Sequence, residues 1–153
     1  FLKIQNIPLG PLFLKDFGNH TIFSSSDHAS HKIEKIELIL NTYTQMPFVL
    51  IGDSGEQDPE IYRQILQKYP NRIRVIYIRS INTSRERLAA LDRLITEIAE
   101  TGCQLVLAPD TEFAAVHAAA EKLISAEELP NIREEKREDE AAPSMREIEE
   151  SEN

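Results

Sequence analysis

Two acids open the chemistry of this chain. Asp53 and Asp58 stand five residues apart in the run Gly52-Asp53-Ser54-Gly55-Glu56-Gln57-Asp58-Pro59-Glu60. Carboxylates so placed suit a hard cation. Mg²⁺ takes oxygen ligands, keeps several waters, and usually accepts one or two carboxylates together with substrate phosphate oxygens. Each acid also has a structural reading. Asp58, followed by Pro59 and Glu60, fits a helix N-cap with proline at the first helical position and an acid in the first turn. Asp53 can shape a turn through its own side chain. Ser54 adds a hydroxyl able to touch a substrate or attack an ester. Lys32 falls in the first turn of a predicted helix, the unfavourable end of the helix dipole for a cation without another task. His28 and His31 stand three apart without further ligands, the pattern of solvated loop histidines rather than of zinc. Cys103 is the only cysteine and opens an apolar run, which marks it as a small buried hydrophobe.

The elements around these residues follow from periodicity. Phe48-Val49-Leu50-Ile51, bounded by Pro47 and Gly52, reads as a strand buried on both faces, as in a parallel sheet. Asp53 and Asp58 then flank a loop at the carboxyl end of a strand, where open α/β sheets bind ligands. Upstream, residues 12–14 read as a short strand and 16–30 as a loop. Residues 31–43 read as a helix, with Ser30 as cap and Ile33, Ile36, Ile39 and Leu40 as its apolar stripe. Downstream, 59–68 reads as a helix that buries Ile61, Tyr62, Ile65 and Leu66, and 73–78 as a β-branched strand. Thr83 and Glu86, at capping-box spacing, start the next helix, whose apolar face is Leu88, Leu91, Leu94, Ile95 and Ile98 and whose stop is Gly102. A strand at 104–107 and an alanine-rich helix at 112–124 complete the alternation, which specifies an α/β fold with a parallel sheet.

Length and charge bound the rest. At 153 residues and 41% apolar content, the chain suits one domain with a real core. The net charge of −9 is uneven: from Ser125 onward eleven acids face four bases, a balance of −7. Residues 125–153 therefore read as an acidic tail, disordered or at most a solvated helix, behind a domain at 1–124. No basic stripe marks a nucleic-acid surface, and no basic amphipathic helix indicates membrane contact. No signal peptide or spanning segment is visible, and a lone cysteine fits a reducing compartment, so a cytoplasmic location is expected. The first residue is Phe1 rather than Met, as expected of a chain processed or cut from a longer one.

The stretch from His31 to Leu40, then Pro47 to Tyr62, then the strand ending in Tyr77-Ile78-Arg79, resembles the catalytic domain of the actin-patch-protein type of phosphatidate phosphatase, a branch of the haloacid dehalogenase superfamily. The resemblance covers about residues 9–124 and is most specific from Gly52 to Glu60. It implies a Rossmann-like, three-layer parallel sheet and a phosphomonoester substrate, phosphatidate by likeness. It also implies Mg²⁺ and an aspartyl-phosphate intermediate. By position, Lys32 resembles the lysine that steadies nucleophile and phosphate, and Asp53 and Asp58 resemble the acids that hold Mg²⁺. The family's Asp-x-Asp-x-Thr nucleophile motif occurs nowhere in the sequence. It is expected upstream of Phe1, on a strand that separates residues 12–14 from residues 48–51. The chain alone is accordingly expected to be an inactive and poorly soluble C-terminal part of a phosphatase. Two other readings stand beside this one. A GDSL-type serine esterase would use Ser54 with a histidine such as His117. A non-catalytic α/β module would bind a partner or a metal without turnover.

Overall fold

The β-branched run Ile73–Arg79 is the central strand of a three-stranded parallel sheet, and its interior residues Val75, Ile76, Tyr77 and Ile78 are all buried. The computed structural model describes residues 10, 13, 25–81 and 84–141. The chain divides into two units, 1–44 and 45–153.

The first unit contributes helix α1, Ser25–Thr42. It begins six residues before the predicted start, so Ser30 is an interior residue and not a cap, and His28 and His31 are helical. Lys32 is the eighth residue of α1 rather than a first-turn lysine, and the helix-dipole argument for it lapses. The predicted strand at 12–14 lies outside the described residues except for Phe13, whose ring has the Lys35 ammonium 5.8 Å from its centroid.

The second unit runs β1 Phe48–Asp53, α2 Asp58–Lys68, β2 Ile73–Arg79, α3 Arg85–Ala99, β3 Gln104–Ala108, α4 Thr111–Ala120 and α5 Leu129–Ala141, with a 3-10 turn at Ala126–Glu128. The sheet order is β1-β2-β3, all parallel, with Asp53 beside Arg79 and Arg79 beside Ala108. All three strands thus end at one edge, and the loops after them share it. Successive side chains of a strand point to opposite faces. On one face Val75, Tyr77 and Val106 pack with Ala114, Ala118 and Leu123 of α4 and its exit. The other face of β2, Ile76 and Ile78, is left to α2 and α3, which bury Ile61, Tyr62, Ile65 and Leu66 and Leu91, Leu94 and Ile98. The result is helix, sheet, helix, the expected three-layer α/β arrangement.

Local signals set the boundaries. Ser84 caps α3 by accepting from the Arg87 amide at 3.2 Å, one residue after the predicted Thr83, which lies outside the described residues. Gly102, at φ +80°, ends the turn after α3 in a conformation that a Cβ disfavours. Leu88 is exposed rather than on the buried face. The acidic stretch read as a disordered tail carries α5: Arg133 pairs with Glu112 at 2.8 Å and Lys136 with Asp110 at 2.9 Å.

β1 departs from the strand buried on both faces that its composition predicts. Val49 and Ile51 are 38% and 74% exposed. Both sit in register with Val75 and Tyr77, on the α4 side of the sheet. α4 packs against β3 and reaches across to β2, one strand short of β1, so among the described residues of the second unit no helix covers that face of β1. Among the described residues β1 pairs with β2 alone. The contrast within one sheet is testable by urea unfolding. Ile76→Ala is expected to cost about 2–5 kcal/mol, as for a fully buried isoleucine. Ile51→Thr should change stability by no more than about 0.5 kcal/mol.

Candidate functional site

The loop between β1 and α2 is built around a side chain that turns back. Asp58 is buried, at 3% exposure, and its Oδ2 accepts from the Asp53 amide at 3.2 Å. It does not cap α2. The cap position is Gln57, without a side-chain cap bond, and Asp58 is already helical. The predicted N-cap role for Asp58 is therefore replaced by a loop-closing one. Gly52 makes room for the turned-back carboxylate. A Cβ at Gly52 would lie 2.6 Å from the Asp58 Cβ and 2.7 Å from its Cγ, closer than real Cβ contacts come.

Asp53 behaves as the turn reading foresaw. Its Oδ1 accepts from the amides of Gly55 at 2.9 Å and Glu56 at 3.0 Å. Its Oδ2 has no partner among the described residues. The two carboxylates thus share one loop: Asp58 is sunk beneath it, and Asp53 is half-buried at its rim. Tyr62 senses their field. Its hydroxyl donates to the Ile51 carbonyl at 2.7 Å, and its pKa is pushed well above the ordinary tyrosine value by burial first, then by the charges of Asp58, Asp53 and Glu56.

The donor set tests whether a metal suits these residues. It consists of carboxylate oxygens, with backbone oxygens beside them and no nitrogen or sulfur ligand, as a hard cation requires. Among the described residues no group of three or more His, Cys, Asp or Glu side chains converges to form an all-protein cage. Two acids are the number that Mg²⁺ usually takes from a protein, with water and substrate completing its shell. Asp53 and Asp58 fit that ion.

Ser54 is placed differently. It is buried, its Oγ accepts from the Ile81 amide at 2.9 Å, and its hydroxyl reaches the Ile81 carbonyl at 3.4 Å. It ties the loop after β1 to the loop after β2. This geometry counts against Ser54 as a nucleophile or as a substrate contact. His117, which the esterase reading would use, shares a 2.9 Å hydrogen bond with the Tyr77 hydroxyl across the α4 face. Lys32 is on α1 of the first unit, and Asp53, Ser54 and Asp58 belong to the second. Cys103 is buried, as expected, and burial raises its pKa.

Sequence reasoning passed over Arg87 and saw in Glu60 only a first-turn acid. The Arg87 guanidinium donates to the Ser54 carbonyl through Nε at 3.1 Å and to the Glu56 carbonyl through Nη2 at 2.8 Å. It also forks onto the Glu60 carboxylate through Nη1 and Nη2. Helical spacing offers no clue to a contact between first turns of neighbouring helices. Burial pushes the Glu60 carboxyl upward, but the Arg87 hydrogen bonds and charge outweigh it and hold Glu60 below its ordinary value.

Two outcomes follow for this loop. Gly52→Ala should lower stability by about 1–3 kcal/mol, the cost of forcing a Cβ into an occupied space, read as a fall in the urea midpoint. Glu60 has a lower pKa folded than unfolded. Its pair with Arg87 therefore stabilises fully above the unfolded value, and that contribution is lost as pH falls through the folded one. Thermal unfolding of wild type and Glu60→Gln should differ near neutrality and converge below about pH 4; a gap that persists in acid would contradict this.

Comparison with known proteins places the chain. The family model described as phosphatidate phosphatase APP1, catalytic domain, matches residues 1–80, a span that includes Lys32, Asp53, Ser54 and Asp58. The Saccharomyces cerevisiae protein phosphatidate phosphatase APP1 is 40% identical over 90 residues, which is 57% of this chain and 15% of that protein. The chain thus spans a small part of the length of this relative. No solved structure matches. With the family model covering more than half of its residues, the chain belongs to the family of the phosphatidate phosphatase APP1 catalytic domain.

Proposed function

We propose that this chain supplies the cation-holding acids and a phosphate-facing lysine to a Mg²⁺-dependent phosphatase of the haloacid dehalogenase type, with phosphatidate as substrate. The observation that carries the reading is the direction of Asp58. A carboxylate that merely capped α2 would face the helix amides; this one turns to the Asp53 amide and joins Asp53 in a single loop at the carboxyl edge of the sheet. When bound, Mg²⁺ offsets the negative charge of the transferring phosphoryl group.

The chain's own residues divide the work. Asp58, buried and hydrogen-bonded, fixes the loop and holds the cation directly or through water. Asp53 keeps one oxygen on its loop amides and has the other available for the cation. Lys32 steadies the phosphate and the attacking carboxylate. Arg79, exposed and in register beside Asp53, adds positive charge to the same edge. The attacking aspartate is not among these residues, since the sequence holds no Asp-x-Asp. It comes from a strand elsewhere in the protein, and activity requires that strand and this chain together. The relative's printed name supports phosphatidate as the substrate.

The test uses a protein that joins this chain to an Asp-x-Asp strand, with phosphate release followed from phosphatidate vesicles and from a soluble phosphomonoester. Asp53→Asn, Asp58→Asn and Lys32→Ala should each lower turnover of phosphatidate by about 100-fold or more while circular dichroism stays that of the wild type. Undiminished turnover in the two aspartate variants would overturn the assignment. Equal loss of a strong activity confined to the soluble ester would keep the phosphatase and reject phosphatidate.

A further inference from the structure

The loop that carries Asp53 and Asp58 is gripped from outside by a residue of another helix, and the grip bears on the acids themselves. The peptide unit between Ser54 and Gly55 is the key. In a planar trans peptide the carbonyl oxygen and the amide hydrogen point in opposite directions. Here Arg87 Nε donates to the Ser54 oxygen at 3.1 Å, while the Gly55 amide of the same unit donates to Asp53 Oδ1 at 2.9 Å. One rigid plane therefore links the guanidinium on one side to the Asp53 carboxylate on the other. Rotating the plane to loosen Asp53 breaks the Arg87 bond as well. The Arg87 charge also polarises the unit, which strengthens its amide as a donor to Asp53.

A second anchor fixes the far end of the loop, where Arg87 Nη2 donates to the Glu56 carbonyl at 2.8 Å. Glu60, in the first turn of α2 and two residues after Asp58, holds the same guanidinium through both of its oxygens. The fork thus connects the start of α3, the loop, and the helix turn that bears Asp58. A cation beside a metal site would ordinarily repel the metal. The bidentate Glu60 offsets most of that charge, so Arg87 gives geometry at little electrostatic cost.

We infer that Arg87 is a positioning residue for the divalent cation: by holding the Ser54–Gly55 peptide and the Glu56 carbonyl it sets the orientation of Asp53 relative to Asp58, and with it the affinity for the ion. The inference rests on the cation-holding role proposed above for those two acids. Arg87 lies seven residues beyond the stretch that the family model matches and touches no reacting atom. Lysine is not an adequate substitute. Its single ammonium can meet Glu60, but it lacks the planar fork that spans two carbonyls and a carboxylate at once.

Mn²⁺ alone is the probe, titrated into the protein that joins this chain to an Asp-x-Asp strand and followed by water-proton relaxation, with Mg²⁺ added as competitor. Each variant is also melted without metal. Wild type should bind with an affinity that Asp53→Asn abolishes. Arg87→Lys should weaken binding by about tenfold, the loss typical of an outer partner of a metal ligand. Glu60→Gln keeps the guanidinium on the carbonyls but leaves its charge unbalanced, and should weaken binding by about threefold. A purely structural Arg87 would lower the melting temperature and leave the affinity of the folded protein at the wild-type value, and that result overturns the inference. Should Arg87→Lys fail to melt cooperatively, Arg87→Gln decides: weakened binding by the folded protein supports the inference and wild-type binding overturns it, whereas Glu60→Gln reads the charge alone. If wild type itself shows no Asp53-dependent binding, the cation reading fails and takes the inference with it, a result distinct from wild-type affinity in the Arg87 variant.

Discussion

The contact between the Asp58 carboxylate and the backbone of Gly52 and Asp53 is the constraint on which the site depends. Burying a carboxylate is unfavourable unless it is hydrogen-bonded, so the chain has to supply donors where the side chain ends up. It does so by bringing the Asp53 amide to Oδ2 and by omitting a side chain at residue 52. The position of Asp58 at the start of α2 adds the favourable field of a helix N-terminus. A strand end, a glycine, a loop and a helix start are thereby locked into one arrangement.

Parallel topology extends that arrangement sideways. Because β1, β2 and β3 run the same way, their carboxyl ends and following loops share an edge. The first two loops are stitched together there. The Ser54 amide donates to the Arg79 carbonyl at 2.9 Å, and the Ser54 hydroxyl engages Ile81. These bonds are local in space but span about 25 residues of sequence, so the site is only as ordered as the sheet that aligns the loops. Core burial of Ile76 and Ile78 in the central strand thus acts on the site without touching it.

The strands and most helices were legible because their signals are short-range. Ile73–Arg79 is β-branched on nearly every second position and bounded by turn residues, and α2 shows its apolar stripe in four residues. Where local signals compete, reading falters. Ser25, Ser26, Asp27 and Asn19 all favour loops and caps, so the start of α1 was placed six residues late, and Lys32 was drawn into a first turn it does not occupy. Asp58 carries the composition of a cap, but its carboxylate turns back to the Asp53 amide instead. Ile51 has the composition of an interior strand residue, but its burial depends on which helix lies across the sheet. Arg87 was invisible for a plainer reason: its partners lie 27 to 33 residues away, and no periodicity encodes them.

The same acids illustrate how one loop can give two carboxylates different duties. Asp58 is buried and spends an oxygen on the main chain, so its position is set by folding. Asp53 is half-buried and uses one oxygen on the loop amides, which leaves the other to face whatever enters the edge. A cation held by both would meet one ligand fixed by the core and one fixed by the loop. Mg²⁺ tolerates little distortion of its octahedron, so a site of this kind gains from having the loop itself held rigid. Two of the loop's amides are satisfied from within by Asp53, and two of its carbonyls from outside by Arg87. A loop held on both sides in this way needs no regular secondary structure to be stiff, and stiffness is what the proposed two-carboxylate cation site would demand of it.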